Sequence, residues 1–191
     1  MNLADVKWTG TGGHANNGTV GRERSEWYAV ATLSVESGYL GVSDLFDSSF
    51  VGAEVQRGVY FVEARIIEFG GCLRISRLRA SAGAENSSRG EIRGHVAVDG
   101  GCVMVADFKD IRASLTPAEV DEFAQLSSTF RFATCDICRL NFESKTIFFV
   151  LCESGFGDGR YPVYALNAED RCVGIEVEFI KDGPMFQCKH D

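Results

Sequence analysis

Proline is nearly absent, with 3 residues in a chain of 191. A proline-rich disordered chain is thereby excluded. Long apolar runs are missing as well: no uncharged stretch approaches the ~20 residues that span a bilayer. The first twenty-odd residues are rich in Gly, Asn and Thr and lack the apolar segment of a secretory signal. The expectation is a soluble cytoplasmic protein with no membrane association. The glycosylation-type triplets at Asn17 and Asn86 are then chance matches.

Positive charge is also in deficit. Lys and Arg number 19 against 27 Asp and Glu, for a formal net charge of −8. Phosphate recognition needs clustered basic residues, so nucleic acid is not the expected partner. The densest basic group, Arg74, Arg77, Arg79, Arg89 and Arg93, reads as solvated strand faces. Histidine is scarce, and His14, His95 and His190 are scattered. No G-x-S-x-G elbow, H-E-x-x-H helix or phosphate loop occurs. Gly10, Gly12 and Ala15 fit a relaxed dinucleotide fingerprint, but no strand precedes them and no apolar helix follows. Cysteine is plentiful at 7, an odd number that rules out complete internal disulfide pairing. Cys72, Cys102, Cys152 and Cys172 lie in or beside apolar runs and read as small buried hydrophobes.

What is present is a β-protein's alphabet: 45% hydrophobic residues, 14 Phe and 21 Gly. Strand-like runs cover 27–35, 39–46, 59–69, 72–80, 91–98, 102–108, 130–133, 146–153, 161–166, 173–180 and 185–188, with glycine-rich turns between many of them. Residues 27–35 with 39–46, and 91–98 with 102–108, read as hairpins, and 82–90 as a polar loop. Val173, Ile175, Val177 and Phe179 alternate with Gly174, Glu176 and Glu178, which predicts one wet face. One helix is expected over 116–127, with Thr116 and Glu119 as its capping box, Pro117 at the first helical position and an apolar stripe behind them. The fold class is all-β: a sandwich or open barrel of about ten short strands with that one covering helix. Residues 1–26 read as an irregular N-terminal arm and 27–191 as a single β-rich domain.

The chain echoes itself. Gly58-Val59-Tyr60-Phe61-Val62-Glu63-Ala64 and Gly159-Arg160-Tyr161-Pro162-Val163-Tyr164-Ala165 share G-x-Y-x-V-x-A, followed by Cys72-Leu73-Arg74-Ile75 and Cys172-Val173-Gly174-Ile175. Either strands simply share a small alphabet, or two related hairpins face each other across a sandwich.

These residues carry a resemblance. Gly38 to Asp44, Gly58-x-Tyr60-x-Val62, Val98-Asp99-x-Gly101 and Gly155-x-Gly157-Asp158-Gly159-x-Tyr161-Pro162-Val163 together resemble the bacterial domain-of-unknown-function family 4241, over roughly residues 38–182. The last element is the specific one, and Phe61 replaces a proline frequent in that family. The resemblance implies a β-rich domain, no established activity and no catalytic residue.

Asp158 is the leading site candidate, because Gly157 and Gly159 leave its carboxylate open to a cation or polar ligand. The competing reading is an Asp-Gly turn whose side chain bonds nearby backbone. Asp44, Asp99 and Asp107 at other strand ends are possible helpers, and Tyr161 and Tyr60 read as core or pocket tyrosines. Cys135 and Cys138 with Cys188 and His190 would make a four-ligand zinc set. Cys102 and His95 are a candidate dyad. Three functional readings stand. The first is a non-catalytic binding module with a protein partner and no cofactor. The second is a small-molecule or metal-dependent enzyme around Asp158, Asp99 and Tyr161. The third is a zinc-stabilised domain.

Overall fold

The computed structural model describes residues 22–44, 50–69, 72–83, 87–109, 111, 116, 118–119, 135–142, 146–155 and 157–180. Twelve strands run through them: β1 (Arg22–Glu23), β2 (Tyr28–Val35), β3 (Tyr39–Asp44), β4 (Val51–Glu54), β5 (Gly58–Phe69), β6 (Cys72–Ser81), β7 (Ser88–Val98), β8 (Cys102–Asp107), β9 (Cys135–Asn141), β10 (Thr146–Glu153), β11 (Gly159–Ala168) and β12 (Arg171–Glu178). They form two antiparallel sheets packed as a sandwich. In the first, β1 and β2 share one edge of β5, followed by β6, β12, β11 and β7. The second runs β4-β3-β8-β10-β9. Neither sheet closes into a barrel, and the all-β expectation holds.

Period-two patterning explains the core. Tyr60, Val62, Ala64 and Ile66 alternate along β5 and meet Leu40, Val42, Val103 and Val105 of the opposite sheet. Strand β8 is buried on both faces, because Cys102, Met104 and Ala106 join a second cluster outside the sandwich with Phe108, Ile111, Phe149 and Leu151. Of the expected covering helix, Thr116 and Glu119 are described. The Thr116 N–H and hydroxyl both donate to Glu119 Oε2 at 2.8 Å, and the Glu119 N–H donates back to Thr116 Oγ1 at 3.3 Å. That is the capping box; most of 116–127 lies outside the described residues, as do the runs 130–133 and 185–188.

Several expectations need correction. The 27–35/39–46 and 91–98/102–108 units are not hairpins: β2 pairs with β5 and β7 with β11, so each turn carries the chain from one sheet to the other. Ser88 to Gly90, read as loop, begin β7. A bulge in β7 turns Ile92 outward to 50% exposure, although alternation placed it with Val96 and Val98. Strands β4 and β9 add to the runs that the sequence pattern marks. Arg22 and Glu23, assigned to the arm, pair with Glu68 and Ile67; residues 1–21 lie outside the described residues. The wet face of β12 is dry: Glu176 and Glu178 are only 5% and 6% exposed. Arg89 bonds both, and Arg77 lies 3.9 and 3.5 Å from them. Of the arginines read as solvated, Arg77, Arg79 and Arg89 join Arg65 in an ion-pair layer with Glu23, Glu63, Glu176 and Glu178, in which Arg65 and Arg79 also sit over the Trp27 ring, whereas Arg93 stays exposed beside Glu91. Strand-face patterning reports which side leaves the core, not whether long side chains then cover that side.

The echo is larger than the shared motif. The first sheet reads as a palindrome, β2-β5-β6 against β12-β11-β7, and the middle of the second likewise, β4-β3 against β8-β10. Ladder registers coincide. Leu33 faces Tyr60 as Val96 faces Tyr161, and Val35 faces Gly58 as Val98 faces Gly159. The β2 bulge at Val30 recurs in β7 at Arg93. Tyr39–Glu54 to Val42–Val51 in β3–β4 match Cys102–Glu153 to Val105–Val150 in β8–β10. The Val55 N–H donates to Gly38 O at 2.9 Å, as the Ser154 N–H donates to Gly101 O at 3.0 Å. Gly38 and Gly101 share left-handed backbone, with φ of 78° and 69°. A local two-fold axis therefore passes between Val42 and Val105 in one sheet and between Arg79 and Glu176 in the other. The two G-x-Y-x-V hairpins lie side by side through β6 and β12, not across the sandwich. Ladder equivalence matches Leu78 with Ile175, so the Cys72 and Cys172 runs are not counterparts.

Candidate functional site

The two-fold relation sorts the candidate residues. What both halves share builds the fold; what one half alone carries needs another reason.

Asp44 and Asp107 are shared. Each ends one of the paired strands β3 and β8, and each receives the turn that starts the other. Asp44 Oδ2 accepts the Asp99 and Gly100 N–H groups at 2.9 and 3.1 Å. Asp107 Oδ2 accepts the Glu36 and Ser37 N–H groups, both at 2.7 Å, and its Oδ1 accepts the Ser37 hydroxyl. Exposure is 2% for Asp44 and 7% for Asp107. Both buried carboxylates hold crossovers between the sheets by charge-assisted hydrogen bonds.

The tyrosines are shared too. Tyr60 donates its hydroxyl to Gln56 O at 2.7 Å and Tyr161 to Gly157 O at 2.8 Å, each four residues upstream. Each locks the approach to its strand, as a tyrosine corner does. Burial is the main cause raising both phenols above the ordinary range. The Asp158 charge adds to the rise at Tyr161, against a lowering contact from Ser154.

Gly157, at φ 97°, Asp158 and Gly159 bring the chain into β11, and their counterparts are Gln56, Arg57 and Gly58. The second half is longer here by two residues, Gly155 and Phe156. The Gly155 carbonyl accepts Arg74 Nη1 at 2.9 Å. Asp158, Asp99, Asp44 and Tyr161 do gather at one end of the sandwich, as a shared site requires. The Asp99 and Asp158 residues are exposed. The Asp44 carboxylate and the Tyr161 hydroxyl, however, are engaged with backbone. Two clefts, of about 440 and 430 Å³, open elsewhere.

The cysteine candidates are separated. On strand β9 Cys135 packs against the inter-sheet core and Cys138 against the outer cluster, so their sulfurs leave opposite faces. Among the described residues no group of three or more His, Cys, Asp or Glu is arranged to hold a metal; Cys188 and His190 lie outside the described residues. Cys102 belongs to the outer cluster of the second sheet, whereas His95 is exposed on an edge strand of the first. Burial pushes the Cys102 thiol up to about 12 and the Cys138 thiol to about 11, which leaves neither as an activated nucleophile at neutral pH.

The flanks of the sandwich break the symmetry. On one flank β7 closes on β4: a Cβ on Gly94 would lie 2.9 Å from Val51 Cγ1 and would force that side chain to shift. The counterpart of Gly94 is Ala31, and the counterpart of β4 is β10. There an extra strand, β9, lies outside β10, and the flank opens as the 430 Å³ cleft. Thr32, Ser34, Glu36 and Thr146 line it with Val59, Ile137 and Phe148, which are 57%, 45% and 50% exposed. The Ser34 hydroxyl donates to Glu36 Oε1 at 2.6 Å, and the Arg139 guanidinium lies 5.9 Å from the Phe148 ring centre. The sequence does not mark Phe148, because Ile147 to Cys152 is continuously apolar and periodicity cannot say which member stands at an open flank. The 440 Å³ cleft lies over the β2–β5 ladder, between Val30, Phe61, Glu63 and Arg79.

No family model, curated protein or solved structure matches the chain. Among the described residues no helix is long and apolar enough to cross a membrane.

Proposed function

We propose that this chain is a non-catalytic interaction module that holds a protein partner at its open flank. One observation carries the reading: Val59, Ile137 and Phe148 are exposed together in a cleft that lies where the two halves differ. The lining adds hydroxyls and the Glu36 carboxylate, and the chain carries a net charge of −8. The complementary partner offers apolar side chains together with basic ones. Asp44, Asp107 and the two tyrosine hydroxyls are engaged in holding turns, which leaves Asp99 and Asp158 as the exposed acids at that end. We place the module in the cytoplasm, which the 5 free cysteines among the described residues support. The resemblance to family 4241 accompanies this reading as a proposal, because its residues coincide with the turn and tyrosine elements of the fold.

The test is affinity capture of the full chain at native expression. A stable partner is expected, retained by Asp158→Asn and lost with Phe148→Glu. Recovery of no partner, or equal retention by both variants, removes the reading. A second reading, a cation or small-molecule site, is supported by the exposed Asp99 and Asp158 at one end. It predicts heat on calorimetric titration with Ca²⁺ or Mg²⁺ that Asp158→Asn abolishes.

A further inference from the structure

We infer that Cys135 and Cys152 are a redox modification site, joined by a reversible intramolecular disulfide under oxidation. Both are free thiols in the structure. They stand directly opposite each other in the β9–β10 ladder and pack against the same inter-sheet core. Directly opposed residues of an antiparallel pair have Cα atoms ~4.5–5.5 Å apart, which falls inside the ~4.4–6.8 Å that a disulfide spans. Closure therefore needs rotation of two side chains and no shift of either strand. Packing does not demand sulfur at this place, since the counterpart of Cys152 in the other half is Ala53, also buried. The bridge would fasten β9, which has no counterpart among the described residues, to the rest of the sheet. Burial, followed by the contact with Cys135, raises the Cys152 thiol well above its ordinary value, so its attack is the slow step and its place opposite Cys135, not acidity, carries the closure.

The two residues divide the chemistry by access. Cys135 is half-buried and Cys152 is buried. With hydrogen peroxide as oxidant, the Cys135 sulfur attacks one peroxide oxygen. The S–O bond forms as the O–O bond breaks, and the departing hydroxide takes up the thiol proton as water, leaving a sulfenic acid. The Cys152 sulfur then attacks the Cys135 sulfur. The S–S bond forms, the S–O bond breaks, and the leaving hydroxide takes the Cys152 proton as a second water. Two thiols lose two electrons and two protons in all, and one peroxide becomes two waters. The inference does not depend on the partner proposed above.

The full chain is treated with peroxide, alkylated and mapped by mass spectrometry without reductant. The expected product is a Cys135–Cys152 linkage in the monomer, reversed by dithiothreitol, absent in Cys152→Ala and retained in Cys102→Ala. Hydrogen exchange is the second measurement. Amides of β9 should exchange more slowly in the oxidised protein, by on the order of a hundredfold from the loop-closure effect of a bridge of this span. The inference is overturned if both thiols remain fully alkylated. It is equally overturned if Cys135 pairs with another cysteine, or if β9 exchange is unchanged when the linkage is present.

Discussion

Replacing Asp107 should destabilise the protein more than replacing Asp44, although both aspartates end equivalent strands. Among the described residues, Asp107 accepts two backbone N–H groups at 2.7 Å and a serine hydroxyl besides, whereas Asp44 accepts two backbone N–H groups at 2.9 and 3.1 Å. A hydrogen bond to a charged acceptor contributes ~1.5–3 kcal/mol. Water can recover part of that loss, because Glu36 and Asp99 are themselves exposed. Asp44→Ala should then cost about 2–4 kcal/mol and Asp107→Ala about 3–5 kcal/mol. Asp44→Asn should cost about 1–2 kcal/mol, because both donors converge on one oxygen that an amide carbonyl can replace. The two sites lie at opposite ends of the β3–β8 ladder, four residues and so roughly 13 Å apart at ~3.3 Å per residue, beyond the ~7–10 Å within which mutations couple. The Asp44→Asn/Asp107→Ala double variant should therefore lose the sum of the single effects to within about 0.5 kcal/mol. Urea unfolding with an unchanged slope is the assay. A loss below about 1 kcal/mol for Asp107→Ala, or a larger loss for Asp44→Ala than for Asp107→Ala, would refute the turn-holding role and its ranking.

Tyr60→Phe and Tyr161→Phe should each cost about 1 kcal/mol and match each other closely, since each removes one equivalent hydroxyl-to-carbonyl bond; thermal melting of the two variants side by side checks this. Glu176→Ala should lower stability by about 2 kcal/mol, read by urea midpoint, after discounting for the partly exposed guanidinium partners. Stability should fall as pH rises above 9. Burial first, then neighbouring acids and thiols, raises Cys102 to about 12 and Cys138 to about 11 from an ordinary 9. The folded state thus keeps protons that the unfolded state gives up, the stability present below pH 9 is lost on passing upward through the folded values, and Cys102→Ala should flatten the slope of melting temperature against pH.

The sequence made the strands legible where alternation was strict and turns carried glycine. Tyr60, Val62, Ala64 and Ile66 announced the inward face of β5, and Thr116 with Glu119 announced a capping box. Partnership between strands was not legible. Glu36-Ser37-Gly38 and Asp99-Gly100-Gly101 have the length and glycine of hairpin turns, yet they cross between sheets. The deciding factor is a buried carboxylate more than fifty residues away in sequence, as the Asp44–Asp99 and Asp107–Ser37 bonds record. Cys135-Asp136-Ile137-Cys138 read as a possible metal pair, but three-residue spacing on an extended strand sends the sulfurs to opposite faces. Glu176 and Glu178 looked solvated because the strand pattern cannot anticipate Arg77 and Arg89 from other strands.

The two-fold relation changes what the Gly155 to Tyr164 stretch means. Its two strongest motif features, Gly159 and Tyr161, recur as Gly58 and Tyr60 in the same ladder positions, so they are explained without any ligand. Asp158 is not explained in this way. Its counterpart is Arg57, of opposite charge, and two residues are added just before it. A turn required by the fold does not need a carboxylate at a position where its twin carries a guanidinium. The same logic applies to the open flank, where Gly94 permits closure against Val51 on one side and Ala31 and β9 mark an opening on the other. Of these two asymmetries, the flank alone combines concavity with exposed apolar surface, the property that drives association and that a lone surface acid lacks. If partner capture survives Phe148→Glu but fails with Asp158→Asn, the order of the two is reversed, and the added residues before Asp158 become the part of the molecule that recognition selected.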